Sequence, residues 1–185
     1  MMSAILLLLF VTLERLAELV LARRNTRALL AQGAVEHAPG HYPFIVVMHA
    51  LWLAGLWAFG WNQPVSAFWF SVFVLLQAGR LWVLMTLGPR WTTRIIVLPG
   101  APLVARGPYR YVSHPNYLVV AGEMLVLPLV FGLAAYGAIF FVLNAAVLWI
   151  RSRWFENEDP AGSANKLLLD YREMLDSQKL DVVAV

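Results

Sequence analysis

A long uncharged run constrains this chain more than any other feature. No Asp, Glu, Lys or Arg occurs between Pro43 and Gly79, and between Asn116 and Ile150 the only such residue is Glu123. A helix needs about 20 apolar residues to cross the hydrocarbon core of a bilayer, so both runs are long enough for spanning helices. Charged residues make up only 14% of the sequence and the mean hydropathy is +0.67, which is unusual for a soluble domain. The sequence therefore predicts a membrane protein.

Five apolar segments divide the chain, and the connectors between them differ in charge. Arginines follow the first, third and fifth segments, whereas the connectors WNQPVS and FGLAAYG carry no charge. The positive-inside rule then predicts an N-terminus outside and a C-terminus in the cytosol. The last two segments hold about 16 residues each, or roughly 24 Å, so we expect a hairpin that crosses fully or only in part. The segments are about Met2–Ala22, Pro43–Gly60, Val65–Leu87, Tyr117–Phe131 and Ala134–Ile150.

The C-terminal tail differs from the rest because it mixes charges with apolar residues at helical spacing. This pattern predicts an amphipathic helix on the cytosolic face, with an apolar side made of Leu167, Leu168, Tyr171, Met174 and Leu175. The predicted fold class is an all-α polytopic integral membrane protein. It has about five transmembrane helices, a C-terminal helical hairpin and a cytosolic amphipathic tail helix, all in one domain over residues 1–185.

The composition also excludes several classes of function. The chain has no cysteine, so disulfides, thiolate metal sites and thiol nucleophiles are absent, and we predict no metal site. A net charge of +3 and a pI near 9.5 are compatible with nucleic-acid binding. The basic residues, however, lie just beyond the ends of apolar segments, where they favour the cytosolic side and anionic lipid headgroups. Membrane lipids are therefore expected partners and nucleic acid is not.

One polar stretch interrupts the apolar pattern in the third connector. GPYRYVSHPNY, Gly107 to Tyr117, holds two prolines, three tyrosines, an arginine and a histidine. Proline suits the first turn of a helix, so the His114-Pro115 pair predicts the start of the fourth helix. Its first backbone N–H groups, from Asn116 to Val119, should face the cytosolic loop, where they suit an anionic or polar ligand.

These residues resemble the marker motif of the isoprenylcysteine carboxyl methyltransferases and their bacterial relatives. The family motif is Gly-Pro-Tyr-Arg-Tyr/Phe-x-x-His-Pro-x-Tyr before a helical hairpin, with an Arg/Glu-rich segment after it, here RSRWFENE. The likeness covers roughly Trp91 to Tyr171. Two further stretches are similar to a bacterial branch of the family whose members lie beside type III polyketide synthases and O-methylate alkylpyrones or alkylresorcinols. These stretches are ERLAELVLARRNTRALLAQGAVEHAPGHYP and RWTTRIIVLPGAPLV. The resemblance implies an S-adenosylmethionine-dependent O-methyltransferase, with its cofactor and catalytic part at about residues 88–175.

The resemblance also implies roles for individual residues. Arginine pairs with carboxylates such as that of the methionyl group, and aromatic faces suit the cationic sulfonium. Glu123 is included among the candidate cofactor-binding residues because an ionisable residue within an apolar helix is a functional candidate by default. The expected cofactor-binding residues are Tyr109, Arg110, Tyr111, His114, Pro115, Asn116, Tyr117 and Glu123, and the expected catalytic residues are Arg153, Glu156 and Glu158.

Each assignment has a structural alternative. Arg110 also suits a membrane anchor, the tyrosines suit an interfacial belt, and an ion pair with Arg80 is the alternative for Glu123. Glu14, Arg15 and Glu18 are interpreted as a network between helices rather than a substrate site. Two positions depart from the family pattern: Val119 stands where many relatives have Gly, and Arg153 is followed at offsets four and five by Asn157 and Glu158 rather than a Glu pair.

The methyl acceptor determines which acid–base chemistry the site requires. A prenylcysteine carboxylate is already ionised and needs orientation by an arginine such as Arg153. A phenol or enol needs a base such as Glu156, Glu158 or His114. We expect a lipophilic hydroxyl of the alkylpyrone or alkylresorcinol type, in a bacterial inner membrane with the active site facing the cytosol, and the prenylated carboxylate is the alternative. A small transporter subunit is the non-enzyme alternative, but it leaves the polar loop unexplained.

Overall fold

The computed structural model describes residues 1–158 except 38, 103, 105 and 113, with side chains omitted at 41 and 151–158. The described part is mainly helical, and its helices follow the five apolar segments of the sequence. They are α1 (Met2–Ala31), α2 (Tyr42–Gly60), α3 (Ala67–Leu87), α4 (Pro115–Val130) and α5 (Ala134–Glu158), and two strands, β1 (Val35–His37) and β2 (Ile95–Val97), complete the elements used below. The predicted tail helix lies outside the described residues.

The helix boundaries follow the local sequence signals. α3 ends at Gly88, whose φ of 54° is unfavourable for other residues, and α4 begins at Pro115 as predicted. α4 and α5 are joined by a short turn at Gly132, with a φ of 72°. Two of the described helices, Tyr42–Gly60 and Ala67–Arg90, are long and apolar enough to cross a membrane, while α4 and the first part of α5 are shorter apolar helices. The described part of the chain thus holds two candidate membrane spans, and the exact number of spans stays a prediction.

The first helix is longer than predicted, because it continues past Ala22 to Ala31. Ala22, Asn25 and Leu29 form the buried side of this extension. The Asn25 side-chain amide donates hydrogen bonds to the carbonyls of Gly88 (3.1 Å) and Trp91 (2.8 Å) at the end of α3. The extension is therefore held by tertiary contacts that the apolar pattern does not report.

A two-stranded ladder, which the all-α prediction did not include, joins the first and third connectors. β1 pairs antiparallel with β2, with Glu36 opposite Ile96. The Arg94 guanidinium donates to both oxygens of Glu36, at 2.9 and 3.0 Å, and lies 4.4 Å from the ring centroid of Tyr42. The ladder ties the α1–α2 connector to the α3–α4 connector, which also carries the polar motif.

The main apolar core lies between α1, α2, α3 and the α4–α5 hairpin. Trp52, Phe73 and Phe131 are its largest fully buried side chains. The hairpin packs closely at Gly137, where an added Cβ would lie 2.9 Å from the backbone carbonyl oxygen of Leu125. This close approach fixes the level at which the two antiparallel helices meet. The buried core residues are Ala4, Leu7, Leu8, Val11, Met48, Trp52, Leu56, Phe73, Met124, Val126, Leu127, Val130 and Phe131.

Candidate active site

The polar motif begins with a short 3₁₀ turn, Gly107–Arg110, that packs on the C-terminal end of α3. Gly107 has a φ of 62°, and a Cβ at this position would meet the side chains of Thr86 and Trp82. Only glycine fits this approach without strain. The motif glycine therefore brings the loop against the helix that carries Arg80.

Tyr109 lies beneath this turn rather than on its surface. Its side chain is 3% exposed and packs in a small apolar cluster with Ala22, Val83 and Trp91. Burial, together with the neighbouring Tyr117 phenol, raises the pKa of Tyr109 to about 12. The phenol therefore stays protonated at physiological pH and cannot act as a base. In the structure Tyr109 anchors the loop, and its contact with a cofactor stays a prediction.

The next motif residues meet at the start of α4. His114 is the N-cap residue, and its ring stacks on that of Tyr117 at a centroid distance of 5.1 Å and an interplanar angle of 18°. Among the described residues, no partner pairs with the buried Oδ1 of Asn116, the second residue of the same helix. The start of α4 thus combines an aromatic stack with a buried hydrogen-bond acceptor.

One detail of the expected helix start is wrong. The N–H groups of Tyr117 and Leu118 do not face the loop as free donors, because both donate to the carbonyl of His114, at 3.1 and 3.4 Å. The first turn closes on its own N-cap residue. Anion binding by a row of free backbone N–H groups is therefore less favourable here than the sequence indicated.

Arg110 and Tyr111 lie at the surface beside this helix start. Both side chains are exposed, and the Tyr111 side chain is 72% exposed. Exposure at the inner end of membrane helices is what an anchor or belt residue requires, and it also leaves both side chains accessible to a ligand. Their cofactor contacts, like those of Pro115, stay predictions.

Glu123 lies two turns below Asn116 on α4, about 10 Å along the helix axis. Its Oε2 accepts hydrogen bonds from Arg80 at 2.6 Å and from Arg15 at 2.8 Å. Arg80 and Arg15 also pair with Glu18, so four charges meet between α1, α3 and α4. The ion pair with Arg80 that the sequence offered as an alternative is confirmed, as is the network between helices. A contact of Glu123 with the cofactor stays a prediction.

The second motif lies on the final turns of α5. Residues 151–158 are helical, but the side chains of Arg153, Glu156 and Glu158 lie outside the described part. α5 has 25 residues and α4 has 16, and the two are antiparallel after a short turn. At 1.5 Å per residue, α5 therefore extends past the start of α4 by roughly 13 Å. Both sequence motifs consequently lie at the same end of the hairpin.

Sequence reasoning missed two buried amides that the structure brings out. Asn25 holds the end of α3, as described above. Asn144 is only 2% exposed in the middle of α5, and the described residues offer no partner to its Nδ2. A single polar residue within an apolar helix was the available signal, because such residues usually face the interior of a bundle.

Comparison with known proteins agrees with the motif. The model of the Isoprenylcysteine carboxyl methyltransferase (ICMT) family matches residues 69–159, from α3 to just past the end of α5. Uncharacterized protein YpbQ of Bacillus subtilis (strain 168) is 38% identical over 153 residues, which cover 80% of this chain and 91% of YpbQ. No solved structure gives a significant match.

Proposed function

The chain belongs to the isoprenylcysteine carboxyl methyltransferase family, and on that premise we propose that it is an S-adenosylmethionine-dependent O-methyltransferase with a lipophilic acceptor. Membership makes the protein a membrane methyltransferase. The cofactor and the acceptor are the parts that this proposal adds. Both are supported by the polar residues at the start of α4 and by the apolar helices around them.

The observation that carries the proposal is the buried Oδ1 of Asn116 beside the His114–Tyr117 stack. A buried acceptor without a donor costs about 1 to 3 kcal/mol. The amino, hydroxyl and ammonium groups of S-adenosylmethionine are all donors, so any of them matches this atom. The aromatic stack suits a flat base or a cation, and the Arg110 guanidinium suits the methionyl carboxylate. The residues present at this helix start fit the cofactor.

The length of α5 supports a second half of the site. Because α5 passes the start of α4, the segment that carries Arg153, Glu156 and Glu158 lies at the same end of the hairpin as the motif loop. Arginine and carboxylate groups are the types that pair with the polar head of such an acceptor. We assign these three residues to the acceptor side of the site.

When bound, S-adenosylmethionine supplies a methyl group on a cationic sulfonium, which transfers directly to an oxygen nucleophile. The chain must hold the acceptor oxygen in line with that group and exclude water. Glu156 or Glu158 would take the proton of an acceptor hydroxyl, and Arg153 would orient the acceptor head. Tyr109 cannot take this proton, because its phenol has a pKa of about 12.

The favoured acceptor is a hydroxyl of the alkylpyrone or alkylresorcinol type, and a prenylcysteine carboxylate is the alternative. Both have an apolar tail that stays in the bilayer while the polar head reaches the loop. The likeness of the N-terminal half to a polyketide-associated branch favours the hydroxyl, whereas the name of the family favours the carboxylate. The exposed Arg23, Arg24 and Arg27 support a cytosolic position for this end of the bundle, in a bacterial inner membrane.

The cofactor is tested by calorimetry of the purified full chain with S-adenosylhomocysteine. Replacing His114 or Asn116 with Ala should weaken binding about 5- to 150-fold, which corresponds to one lost hydrogen-bond partner of about 1 to 3 kcal/mol. Ser71→Ala is the matched control, since Ser71 is exposed and donates only to its own helix. Failure of the wild-type protein to bind S-adenosylhomocysteine would remove the proposal.

The acceptor is tested by incubating membranes that contain the protein with methyl-labelled cofactor. An alkylresorcinol and a farnesylcysteine analogue are supplied in parallel, with empty membranes as the control. Labelling of the alkylresorcinol supports the favoured acceptor. Labelling of farnesylcysteine alone would replace it with the carboxylate and leave the methyltransferase assignment intact.

A further inference from the structure

The four-charge cluster between α1, α3 and α4 is more deeply buried than surface ion pairs. Glu123 is 1% exposed, Arg80 6% and Glu18 8%. Charges are removed from water at a large cost, which is offset only when the remaining lone pairs and N–H groups also find partners. The hydrogen bonds of each member therefore decide whether the cluster is complete.

The two carboxylates are satisfied to different extents. Both oxygens of Glu18 accept from Arg80, and Oε2 of Glu18 also accepts from Arg15 at 3.0 Å. In Glu123, Oε2 accepts from both arginines, but the described residues provide no donor for the buried Oε1. One carboxylate oxygen is thus buried without a partner among the described residues.

A donor and a second acceptor near the cluster are also without partners in the described part of the chain. The Nε of Arg15 is buried and unpaired, although its Nη2 donates to Glu123 at 2.8 Å. Gln77, one turn before Arg80 on α3, donates to Glu14 at 3.0 Å, but its buried Oε1 accepts from no described residue. The unpaired Nε of Arg15 and Oε1 of Glu123 belong to one guanidinium–carboxylate contact, which joins Nη2 to Oε2 at 2.8 Å.

From this accounting we infer that Glu123 Oε1 and Arg15 Nε form a binding site for a hydroxyl group inside the helix bundle. A hydroxyl donates to the carboxylate oxygen and accepts from the guanidinium N–H. A carboxylate ligand does not fit, because it has no proton to donate to Glu123. The hydroxyl belongs either to water or to a lipophilic alcohol or phenol that enters from the bilayer.

The two sources relate differently to the enzyme. A water at this site completes the ion cluster and does not depend on the proposed methyl transfer. A lipid hydroxyl would make Glu123 a specificity-determining residue for the acceptor, and that form rests on the proposed function. In that form the site explains why a hydroxyl acceptor is favoured over a carboxylate.

The first test is a high-resolution structure of the full chain in phosphatidylcholine nanodiscs, without added acceptor. Density within about 2.6 to 3.2 Å of both Glu123 Oε1 and Arg15 Nε, reduced in Arg15→Lys, supports the water form. Arg15→Lys keeps the charge of the cluster and removes Nε. It is therefore the informative variant even where Glu123→Gln does not fold.

The second test compares the affinity of the same preparation for 3-pentadecylphenol and for its methyl ether. The lipid form predicts about tenfold tighter binding of the phenol, as expected for one hydrogen bond to a charged group. Arg15→Lys and Glu123→Gln should lower this preference, whereas the control Ser71→Ala should not. The inference is overturned if the wild-type protein shows no density at the cluster and no preference for the phenol over its methyl ether.

Cofactor binding and methyl transfer are measured on the same samples, so the two proposals fail separately. Density at the cluster with no S-adenosylhomocysteine binding would contradict the proposed function and leave the hydroxyl site standing. If the protein binds the cofactor and transfers the methyl group but shows no density at the cluster and no phenol preference, the proposed function stands and the hydroxyl site is contradicted.

Discussion

Replacing Gly107 with Ala is expected to detach the polar motif from α3. Gly107 has a φ of 62°, and an added Cβ would collide with Thr86 and lie 3.2 Å from Nε1 of Trp82. Thr86 cannot turn away freely, because its hydroxyl donates to the Trp82 carbonyl at 2.7 Å. The substitution therefore adds steric overlap to backbone strain.

The two effects have separable magnitudes. A left-handed φ costs a non-glycine residue about 1 to 2 kcal/mol. Overpacking of a well-packed contact adds about 1 to 3 kcal/mol. The expected loss in the free energy of unfolding is therefore about 2 to 5 kcal/mol for Gly107→Ala. Gly100 has a φ of 74° with no atom within 4 Å of an added Cβ, so Gly100→Ala should cost only the backbone part.

The measurement is denaturant unfolding of the full chain in detergent, followed by tryptophan fluorescence. Affinity for S-adenosylhomocysteine, measured on the folded protein, reports whether the detached loop also weakens the site. Adding Thr86→Ala to Gly107→Ala should recover part of the loss, because it removes both colliding atoms. Equal losses for Gly107→Ala and Gly100→Ala, with no recovery by Thr86→Ala, would refute the role of the close approach.

Three further outcomes are expected. Gly137→Ala should destabilise the hairpin by about 1 to 3 kcal/mol, because its Cβ meets a backbone carbonyl of α4 that cannot move aside. Gly79→Ala is the control in the same unfolding assay. Because an added Cβ makes only ordinary contacts there, this variant should be neutral or slightly stabilising. Because the pKa of Tyr109 is raised in the folded state, this group should not change the free energy of unfolding below about pH 10. As the pH rises to 12, the free energy of unfolding should fall by about 2 kcal/mol, and Tyr109→Phe should remove that loss. An unchanged pH profile in this variant would mean that another group titrates. Single cysteines at Asn62 and at Pro102 should react with an impermeant thiol reagent from opposite sides of the membrane, and same-side labelling would contradict the topology.

The positions of the apolar helices were largely predictable from the sequence. The apolar segments near Pro43–Gly60 and Val65–Leu87 became α2 and α3 with ends shifted by two residues or fewer. Apolar length and the positions of charge act locally, because each residue is sorted between lipid and water almost independently of its distant neighbours. The Pro115 helix start was predicted from another local signal, because proline suits the first turn of a helix.

Contacts between distant segments were decided only by the tertiary structure. From the sequence, Arg80 and Glu123 were assigned to apolar helices and an ion pair between them was one alternative. The sequence did not show that Arg15 and Glu18 form ion pairs with these two residues. It gave no sign of the ladder that pairs Val35 with Val97.

These contacts depend on how helices rotate and how closely they approach, which is set by the summed packing of many side chains. A helical pattern defines a face but not the residue opposite it. The family motif identified the loop and the start of α4 from the sequence. Only the packing of three helices shows that one oxygen of Glu123 finds no donor in the described part of the chain.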